Sequence, residues 1–523
     1  MKVFFDTNVI LDVLMRVDEF PDSFLLLNSL MQRSDFSLWI SAISINNIEY
    51  IVSKSVHQET AQPALDLIDQ VFSIIPFRRS IFIWAKNRYG PDFEDAIQMI
   101  SAEKMGMDCI VTRNQLHFQK SNVPVFTPSE FLDAWNAGEL QKPINVPFLD
   151  LKAQYHQVYN EIDDKITDVI SRSAFILGNY VQEFEKEFVK AQEATYCIGV
   201  SSGTDALHLA LLALDIGPGD AVFLPVNTFF ATAEAVFLTG ATPVFVDIDQ
   251  TFHIDPVELE KAIQETGVRS RESGARPLTP KGIIPVHLYG QPADMDRIMD
   301  IAQRYGLQVV EDCAQSHLAA LQGTKTGNFG EFGAFSFYPG KNLGAFGEAG
   351  ALVTNDSDLY SQAQSMRGHG ESRRYHHQYV GHNYRMENFQ GATLSTKLKY
   401  LPEWTRRRQE HAALYSELLQ GIAGIQTPVV RDFQSHAFHL YVVRARERDA
   451  LQAHLESKGV VTGLHYPVPL HLQEACAGLG YKEGDFPVAE QVAQEILSLP
   501  MFPELRREQV EYVCGCIRAF YQE

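Results

Sequence analysis

The strongest constraint on the fold is a pattern that recurs between residues 200 and 400: a short apolar strand, a turn and an amphipathic helix. The strands of this pattern fall at Ala221–Leu224, Thr242–Val246, Gly282–Val286 and Leu307–Val310. A helix that joins two strands sets them parallel, so the pattern predicts an α/β domain with a mostly parallel, doubly wound sheet. Such sheets bind ligands at the carboxyl ends of their strands.

The rest of the chain divides around this region. A chain of 523 residues is too long for one hydrophobic core. The segment Asn136–Pro147 is polar, contains two prolines and interrupts the pattern. We predict a first domain over residues 1–136, a linker over 137–147, a large domain over 148–400 and a small α/β domain over 401–523. Long helices and a few strands, such as His439–Val443, characterise the small domain, and Thr266–Lys281 is predicted to be a surface loop.

One lysine of the large domain has unusual surroundings. Lys341 lies in SFYPGKNLGAFGEAGA, a glycine-rich loop between two predicted strands, Ser336–Tyr338 and Gly350–Val353. Glycines allow the backbone to come close to a ligand. An amine in a partly desolvated pocket has a lowered pKa and is a nucleophile toward a carbonyl group. The residues therefore indicate a lysine that bonds covalently to a carbonyl compound.

Other residues of the domain would suit pyridoxal phosphate as that compound. The ring nitrogen needs a carboxylate to stay protonated, and Asp312 ends an apolar strand. The phosphate needs N–H groups at a helix N-terminus, which the turn Ser201–Asp205 offers before an apolar helix. Phe229, after another strand, is a flat apolar neighbour for the ring. Taken alone, such a turn is usually only a helix cap, and an aspartate after a strand is usually a cap or a surface acid. All of these features together, in this order along the chain, indicate a cofactor site.

These segments belong to a resemblance that runs from about residue 146 to 523. It is found in VPFLDLKAQY, SSGTDALHLAL, PVNTFFATAEAV, IIPVHLYGQPADMD, VVEDCAQS, SFYPGKNLGAFGEAGALVTND, GHNYRMENFQ and GLHYPVPLH. The region resembles the sugar-nucleotide aminotransferases of the DegT–StrS group, which have the fold type I architecture of pyridoxal-phosphate enzymes. The resemblance implies that an amino group passes from a donor, usually L-glutamate, to a nucleotide-linked keto-sugar in two half-reactions.

The resemblance also implies roles for single residues. Lys341 would hold the cofactor and later shuttle the proton, Asp312 would pair with the ring nitrogen, and Gln315 would contact the ring hydroxyl side. The residues that would hold the phosphate or stack on the ring are Gly203, Thr204, Ser336 and Phe229. Asn383 would reach a phosphate in the partner subunit, which implies a homodimer.

The same resemblance bears on the substrate. SFYPGKNLGA, together with the segment His465–His471, is most similar to members that act on 3-keto sugars, so the substrate would be of the 3-keto-6-deoxyhexose type. The substrate contacts it suggests, which are otherwise ordinary packing residues, are His465, Tyr466, His287 and His317. The chain departs from the family at Leu318, where glycine is usual. A leucine would be strained there if the backbone needs a positive φ.

The first domain has acids at the ends of predicted strands and helices. Asp6 ends the first strand, Asp92 and Asp95 open a later helix, and Asn114 follows another strand. Carboxylates placed in this way bind Mg²⁺ or Mn²⁺, which activate water and hold a phosphodiester. Residues 1–135 resemble a PIN domain, the metal-dependent ribonuclease fold of many bacterial toxins. RNA is the partner that this resemblance implies.

The similarity to PIN domains has gaps. Asn47 stands where an acid is usual, and Glu49 lies about 200° further around the helix, so the two cannot both face one metal. Asn114 also stands at a position where PIN domains often have an acidic residue. Fewer carboxylates bind a metal more weakly, so the alternative is a binding or regulatory module with the same fold. The last helix of the domain is predicted over Ser129–Trp135, with Ser129 as its N-cap.

Charge and composition argue against several classes of protein. The formal net charge of −21 disfavours a broad basic surface for nucleic acid. Six scattered cysteines are too few for a disulfide framework and favour a reducing compartment, so we expect the cytoplasm. No apolar run approaches the roughly 20 residues of a membrane span, and we expect no membrane partner. Asp6 and Asp12 interrupt the N-terminal apolar run, which argues against a signal peptide.

Two other interpretations stay open. Relatives of this aminotransferase group dehydrate sugars, but these carry histidine in place of the lysine, so Lys341 argues against that reaction. Alternatively, the chain is a PIN-type ribonuclease, toxin or regulator whose rear domain only binds pyridoxal phosphate or dimerises. Lys341, Asp312 and the phosphate turn would then be relics.

Overall fold

The structure is a computed structural model and describes residues 1–16, 18–33, 36–55, 61–88, 92–140, 144–272, 277–432 and 435–522. The chain forms two compact units, Met1–Pro143 and Ile144–Glu523. Residues 141–143 of the predicted linker and 273–276 of the predicted surface loop lie outside the described residues. No helix in the described part of the chain is both long and apolar enough to cross a membrane.

The N-terminal unit is a three-layer α/β structure. Its strands are β1 (Lys2–Phe5), β2 (Ser37–Ser41), β3 (Phe72–Ile75), β4 (Cys109–Val111) and β5 (Val125–Phe126). Its helices are α1 (Thr7–Met15), α2 (Pro21–Met31), α3 (Ala42–Ser55), α4 (Ala61–Val71), α5 (Arg79–Asn87), α6 (Phe93–Lys104) and α7 (Pro128–Asn136). The strands pair in parallel in the order β3-β2-β1-β4-β5. Along β1, Val3 and Phe5 enter one core and Phe4 the other, so both faces of the sheet are covered.

The prediction that Ser129 caps the last helix of this unit is wrong. Helix α7 begins at Pro128, and Thr127 is its N-cap. The Thr127 hydroxyl accepts from the Glu130 amide (3.2 Å), and the Glu130 carboxylate accepts from the Thr127 amide (2.8 Å). Proline fits the first helical position because its φ is already helical and it has no N–H to satisfy, so the helix starts one residue before Ser129.

The C-terminal unit is larger and is also of the α/β class. Its strands are β6 (Tyr196–Val200), β7 (Asp220–Pro225), β8 (Thr242–Val246), β9 (Thr279–Ile283), β10 (Gln308–Asp312), β11 (Ala320–Leu321), β12 (Thr324–Lys325), β13 (Phe332–Ser336), β14 (Gly350–Thr354), β15 (Glu371–Arg373), β16 (His376–His377), β17 (Ile425–Gln426), β18 (Tyr441–Ala445) and β19 (Ile496–Leu499). The main sheet has the order β6-β14-β13-β10-β9-β7-β8. All its described pairings are parallel except those that β14 makes. The predicted mostly parallel sheet is therefore confirmed.

Helices cover this sheet and form the end of the chain. They are α8 (Leu151–Arg172), α9 (Asn179–Gln192), α10 (Gly203–Ala213), α11 (Ala231–Thr239), α12 (Pro256–Glu272), α13 (Met295–Tyr305), α14 (Ser357–Arg367), α15 (Asn388–Leu398), α16 (Leu401–Leu419), α17 (Arg448–Ser457), α18 (Pro487–Glu495) and α19 (Arg507–Gln522). Near the C-terminus, β17, β18 and β19 form an antiparallel sheet. It packs with α16, α17 and α19 around a second core that includes Tyr415, Val443 and Val513.

Several boundaries of this unit differ from the prediction. The strand predicted over Ser336–Tyr338 instead ends at Ser336, since β13 spans Phe332–Ser336. The segment 266–281 is not a continuous loop, because α12 extends to Glu272 and β9 begins at Thr279. Strand β9 also starts earlier than predicted, since it pairs with β7 from Thr279 onward. Strand β18 starts at Tyr441, two residues later than predicted. For the two strands, pairing with a neighbouring strand, which the local sequence does not contain, decides where the element lies.

Candidate active site

The predicted site residues of the C-terminal unit converge at one edge of the main sheet. Strand β10 ends at Asp312 and its neighbour β13 ends at Ser336. The loop that carries Lys341 leaves β13 and returns as β14, whose first residue, Gly350, pairs with Val200 at the end of β6. Helix α10 begins just beyond β6. The acid, the lysine loop and the helix N-terminus thus meet because their strands are neighbours in the sheet.

The Lys341 loop is a tight turn. A Cβ atom on Gly344 would lie 2.2 Å from the Pro339 carbonyl oxygen, so only glycine lets the two backbones touch there. The Lys341 amide donates to the Tyr338 carbonyl (2.8 Å). Burial lowers the pKa of the Lys341 amine to about 8, against the opposing effect of the Asp312 carboxylate. A substantial fraction of this amine is therefore unprotonated at neutral to mildly alkaline pH.

Asp312 is a buried carboxyl group, 5% exposed, with fixed orientation. One oxygen accepts from the Thr232 hydroxyl (2.9 Å) and the other from the Ala314 amide (3.1 Å). Burial raises its pKa, while these hydrogen bonds and the charge of Lys341 lower it. A buried carboxylate is stabilised by a cationic partner, and a protonated ring nitrogen would be one.

The N-terminus of α10 fits a phosphate group. Ser202 caps the helix by accepting from the Asp205 amide (3.0 Å), and the Ser201 hydroxyl donates to the Asp205 carboxylate (2.6 Å). A Cβ on Gly203 would lie 2.6 Å from Cβ of Ser336, so the first turn packs directly on the end of β13. The unpaired N–H groups of a helix start attract anions. Gly203, Thr204 and Ser336 thus lie together, as predicted for the phosphate.

Another part of the candidate site consists of aromatic and amide side chains. Phe229 is 57% exposed, and its ring centroid lies 5.5 Å from that of Tyr466. Gln315 donates to the Tyr466 hydroxyl (3.2 Å) and accepts from the Tyr289 amide (2.6 Å). The structure therefore joins Phe229, Gln315 and Tyr466. Tyr289, whose hydroxyl donates to the carbonyl of His465, was not predicted, and no local pattern distinguishes it.

Two of the predicted substrate histidines lie close to Lys341. The Nδ1 of His465 is 2.9 Å from the Ser498 hydroxyl, and its ring stacks on Phe148. Burial, together with the Lys341 charge, lowers the pKa of His465 to about 4. The Nε2 of His317 donates to the Ser336 carbonyl (2.9 Å), and burial lowers its pKa to about 3. Both imidazoles are therefore neutral at physiological pH. His317 is 0% exposed, so, like His287, it does not have an open position for the predicted substrate contact.

His287 does not have the open position that a substrate contact needs. Its side chain is 0% exposed. Its Nε2 is 2.9 Å from the Glu311 carboxylate, and its Nδ1 accepts from the Ala293 amide (3.0 Å). Both ring nitrogens are thus used inside the fold, which corrects the prediction. The sequence shows that His287 follows a strand but not which face it occupies.

His287, Glu311 and Cys313 also place their ligand atoms within 4.8 Å of one another, as metal ligands do. However, the Glu311 carboxylate already accepts from three backbone amides, those of Gly327, Phe329 and Gly330. The cluster is satisfied by hydrogen bonds. It ties the strand end to the following loop.

The structure also describes two further positions that the sequence analysis singled out, Leu318 and Asn383. Leu318 has a φ of 62°, a left-handed backbone conformation in which a leucine is strained. Its amide donates to the Gln192 side chain, and its carbonyl accepts from the Lys325 ammonium. Asn383 is exposed and accepts from the Arg385 guanidinium (2.8 Å). Its predicted contact with the partner subunit stays a prediction.

His439 is a neighbour of Lys341 that the sequence did not reveal. Its Nδ1 lies 3.2 Å from the side-chain oxygen of Asn342, and Asn342 donates to the Ala437 carbonyl (2.8 Å). Burial and the charge of Lys341 hold the pKa of His439 well below its usual range. The sequence places His439 only near the start of a strand, and nothing in its spacing links it to a loop about a hundred residues earlier.

The N-terminal unit brings part of its predicted metal set together. Asp6, 2% exposed, accepts from the Thr112 hydroxyl (2.6 Å), and the backbone N–H of Asn114 donates to that same hydroxyl (2.9 Å). Burial raises the pKa of Asp6 to about 6, and the charge of Asp95 adds to the effect. Asp95 lies 2.5 Å from Nδ1 of His117, a partner that the sequence analysis missed.

The other acids considered for the metal site, Asp92 and Glu49, are exposed. Asp92 is exposed and caps α6 by accepting from the Glu94 amide (2.8 Å). Glu49 is exposed and accepts from Ser53, so it does not replace the acid missing at Asn47. Within the described residues, the carboxylates of this unit do not form a group of three with all ligand atoms within 4.8 Å. The predicted metal-binding roles of Asp6, Asp92, Asp95 and Asn114 therefore stay predictions.

Comparison with known proteins assigns both units. Residues 156–518 match the profile described as "DegT/DnrJ/EryC1/StrS aminotransferase family", and residues 2–116 match that of the PIN domain. The chain is 46% identical over 382 residues to the "Pleiotropic regulatory protein" of Geobacillus stearothermophilus, with 72% of this chain and 99% of the relative covered.

Two further relatives are named as enzymes. The dTDP-3-amino-3,4,6-trideoxy-alpha-D-glucose transaminase of Streptomyces venezuelae is 43% identical, with 71% of this chain and 95% of the relative covered. The UDP-N-acetyl-3-dehydro-alpha-D-glucosamine 3-aminotransferase of Acidithiobacillus ferrooxidans is 42% identical, with 71% and 97% covered. The crystal structure of S. venezuelae DesV in complex with a ketimine intermediate superposes with a TM-score of 0.68 at 42% identity, covering 72% of this chain and 99% of that one.

Proposed function

Because the chain belongs to the DegT/DnrJ/EryC1/StrS aminotransferase family, we propose that it transfers the amino group of L-glutamate to a nucleotide-linked 3-keto-6-deoxyhexose. One structural observation supports this function most strongly. Burial lowers the pKa of the Lys341 amine, whose charge acts on the buried Asp312, and the strand that leads into its loop packs on the N-terminus of α10. This arrangement suits a cofactor with an aldehyde, a basic ring nitrogen and a phosphate.

The residues present fit pyridoxal phosphate, which when bound supplies the reactive aldehyde and the electron sink. Asp312 would hold the ring nitrogen protonated, and Phe229 would cover one ring face. The phosphate would be bound by Gly203, Thr204 and Ser336. Gln315, fixed by Tyr289 and Tyr466, would orient the ring hydroxyl side.

Lys341 supplies the proton transfers. In each half-reaction Lys341 would first take a proton as a neutral amine and then give a proton up as an ammonium, so that it carries the proton between the reacting carbon of the substrate and the cofactor. Both half-reactions use the same site, so the kinetics are ping-pong. We propose that the neutral imidazole of His465 and the Tyr466 hydroxyl contact the sugar, and that His317 positions the end of β13 through the Ser336 carbonyl.

The position of the keto group is proposed from the relatives. Two of the enzymes named above carry the 3-amino or 3-dehydro designation, on dTDP- and UDP-linked sugars respectively. The nucleotide is therefore left open, and the third carbon is favoured. We propose a homodimer in which Asn383, which is exposed, would reach the phosphate of the partner's cofactor. A cytoplasmic location stays a prediction from cysteine usage.

A substrate panel tests this function. The full chain, loaded with pyridoxal phosphate, is incubated with L-glutamate and with dTDP- or UDP-linked 3-keto and 4-keto sugars. We expect 2-oxoglutarate and a 3-amino sugar in equal amounts, identified by mass and NMR. L-Aspartate replaces glutamate as the control donor. Amination of 4-keto sugars alone would contradict the assigned carbon, and no amination of any sugar would contradict the function.

A second function is proposed for the N-terminal unit, which matches the PIN domain profile. Burial raises the pKa of Asp6, and the nearby charges of Asp95 and Glu94 add to this effect, so a cation would be favoured beside these acids. We propose weak, metal-dependent cleavage of RNA, with one Mg²⁺ or Mn²⁺ held by Asp6, Asp95 and Asn114. The ion, when bound, would supply an activated water and a Lewis acid. The competing interpretation is a non-cleaving binding module.

Cleavage of a mixed-sequence RNA by the purified chain distinguishes the two. We expect slow cleavage in Mn²⁺ or Mg²⁺ that EDTA abolishes, and that Asp6→Asn lowers at least about tenfold. Asp66→Asn, an exposed acid of α4, is the matched control and should leave the rate unchanged. Cleavage that survives Asp6→Asn would place the activity elsewhere, and absence of cleavage would favour the binding module.

A further inference from the structure

Lys397 is a buried lysine in the C-terminal unit that neither half-reaction uses. It lies near the end of α15 and is 2% exposed. Burial lowers its pKa to about 8, and the charge of Glu504 only partly opposes this. An ammonium group without close ionic pairing is costly to bury, because its hydration is lost. A methionine or leucine would fill the same space without that cost.

The Lys397 ammonium contacts the loop that carries Lys341. Its Nζ donates to the Gly344 carbonyl (2.8 Å) and lies 4.6 Å from the centroid of the Phe346 ring. Gly344 is the residue whose backbone touches Pro339, where the loop closes. The hydrogen bond of Lys397 is therefore made at the closure point of the Lys341 loop.

Two neutral side-chain contacts also hold the loop. The Gln390 side chain, on the same helix, accepts from the Phe346 amide (3.0 Å). The Asn342 side chain donates to the Ala437 carbonyl (2.8 Å). Among these contacts, that of Lys397 is the charge-assisted one, and such bonds are about twice as strong as neutral ones. Its removal should loosen the loop more than removal of either other contact.

We propose that Lys397 is a positioning residue that keeps the Lys341 loop closed and the Lys341 amine shielded from water. This inference rests on the proposed function, in which Lys341 holds the cofactor. The lowered pKa of Lys341 arises from burial. A loop that opens admits water, so the Lys341 pKa should return toward its value in solution. Lys397 thus acts on the reactive amine through the backbone of the loop.

The first test uses the full chain without cofactor. Lys341 is reductively methylated with formaldehyde and a mild borane over a range of pH, and its modification is quantified by peptide mass mapping. In the parent protein we expect the midpoint of modification near the lowered pKa of about 8. In Lys397→Met we expect the midpoint to rise by about one pH unit. Lys397→Gln, which retains an N–H donor, should fall between the two.

The second test uses the loaded enzyme. Lys397→Met should lower kcat about tenfold with little change in KM for glutamate, since a displaced amine affects the proton transfers more than binding. Lys399→Met is the matched control: it lies two residues along the chain, is exposed and pairs with Glu161. It should leave both the Lys341 midpoint and kcat unchanged.

The outcomes separate this inference from the function on which it rests. If the parent protein forms no borohydride-stable bond between Lys341 and pyridoxal phosphate, the proposed function fails. If that bond forms but Lys397→Met and Lys399→Met give the same Lys341 midpoint and the same kcat, the positioning role is excluded. Should Lys397→Met not fold, the comparison of Lys397→Gln with Lys399→Gln decides by the same criteria.

Discussion

Replacing Lys341 with methionine is expected to lower kcat/KM for transamination by at least about 10³-fold, because one side chain supplies both the covalent attachment and the proton transfers. Methionine has a similar length and fills the same space without an amine. The turn around it should persist, since Gly344, Asn342 and Lys397 hold it by other atoms. Steady-state rates with the sugar accepted in the panel give the measurement.

The variant should still bind the cofactor, which gives a check independent of turnover. The helix start at Gly203 and Thr204 and the Asp312 carboxylate are untouched, so pyridoxal phosphate should co-purify in part. Borohydride should no longer fix it to the peptide that contains position 341. A variant that retained more than about a tenth of the parent activity would exclude Lys341 from the chemistry. Lys399→Met again serves as the matched control.

Much of the C-terminal site could be predicted from the sequence because its residues end strands of one parallel sheet. Asp312 and Ser336 follow apolar runs that pair with each other, and the Ser201–Asp205 turn follows a strand of the same sheet. Carboxyl ends of parallel neighbours meet at one edge. Knowledge of the strand-helix alternation was therefore enough to expect these groups together, without knowledge of the strand order.

The sequence could not predict the contacts that cross between distant segments. His439 and Asn342 lie about a hundred residues apart, and Lys397 reaches Gly344 from a helix that looks ordinary in its periodicity. His287 has the same local context as an exposed strand-end residue, yet its ring faces Glu311. Which face a side chain takes after a strand ends depends on how the next segment packs.

The two units differed in how well local patterns predicted their sites. The glycine-rich loop, the apolar strand before Asp312 and the helix cap before Gly203 each have a local physical cause. In the N-terminal unit, acids such as Asp92 serve as helix caps as readily as metal ligands, and the sequence does not separate these uses. The Leu318 backbone conformation was suggested only by the family's usual glycine, and its φ of 62° agrees with that suggestion.

Replacing Asp312 with asparagine is the second change for which a large effect is expected. Asparagine keeps the shape of the side chain, and its amide and oxygen can still bond to Thr232 and to the Ala314 amide. It removes the negative charge that would pair with the ring nitrogen. Loss of one partner from a buried charge pair costs about 3–5 kcal/mol, which corresponds to about 10²–10⁴-fold in kcat/KM. Rates for both half-reactions give the measurement.

Two further readouts separate this electrostatic role from a structural one. Burial raises the pKa of Asp312, so its carboxylate costs folding free energy above its ordinary pKa, and the thermal midpoint of the cofactor-free Asp312→Asn protein should not fall. The Asp312 charge also raises the Lys341 pKa, so the midpoint of Lys341 methylation should move below about 8 in the variant. Lys397→Met shifts the same midpoint upward, which gives the two variants opposite signs. A drop in thermal stability with an unchanged Lys341 midpoint would mean that Asp312 only supports the fold.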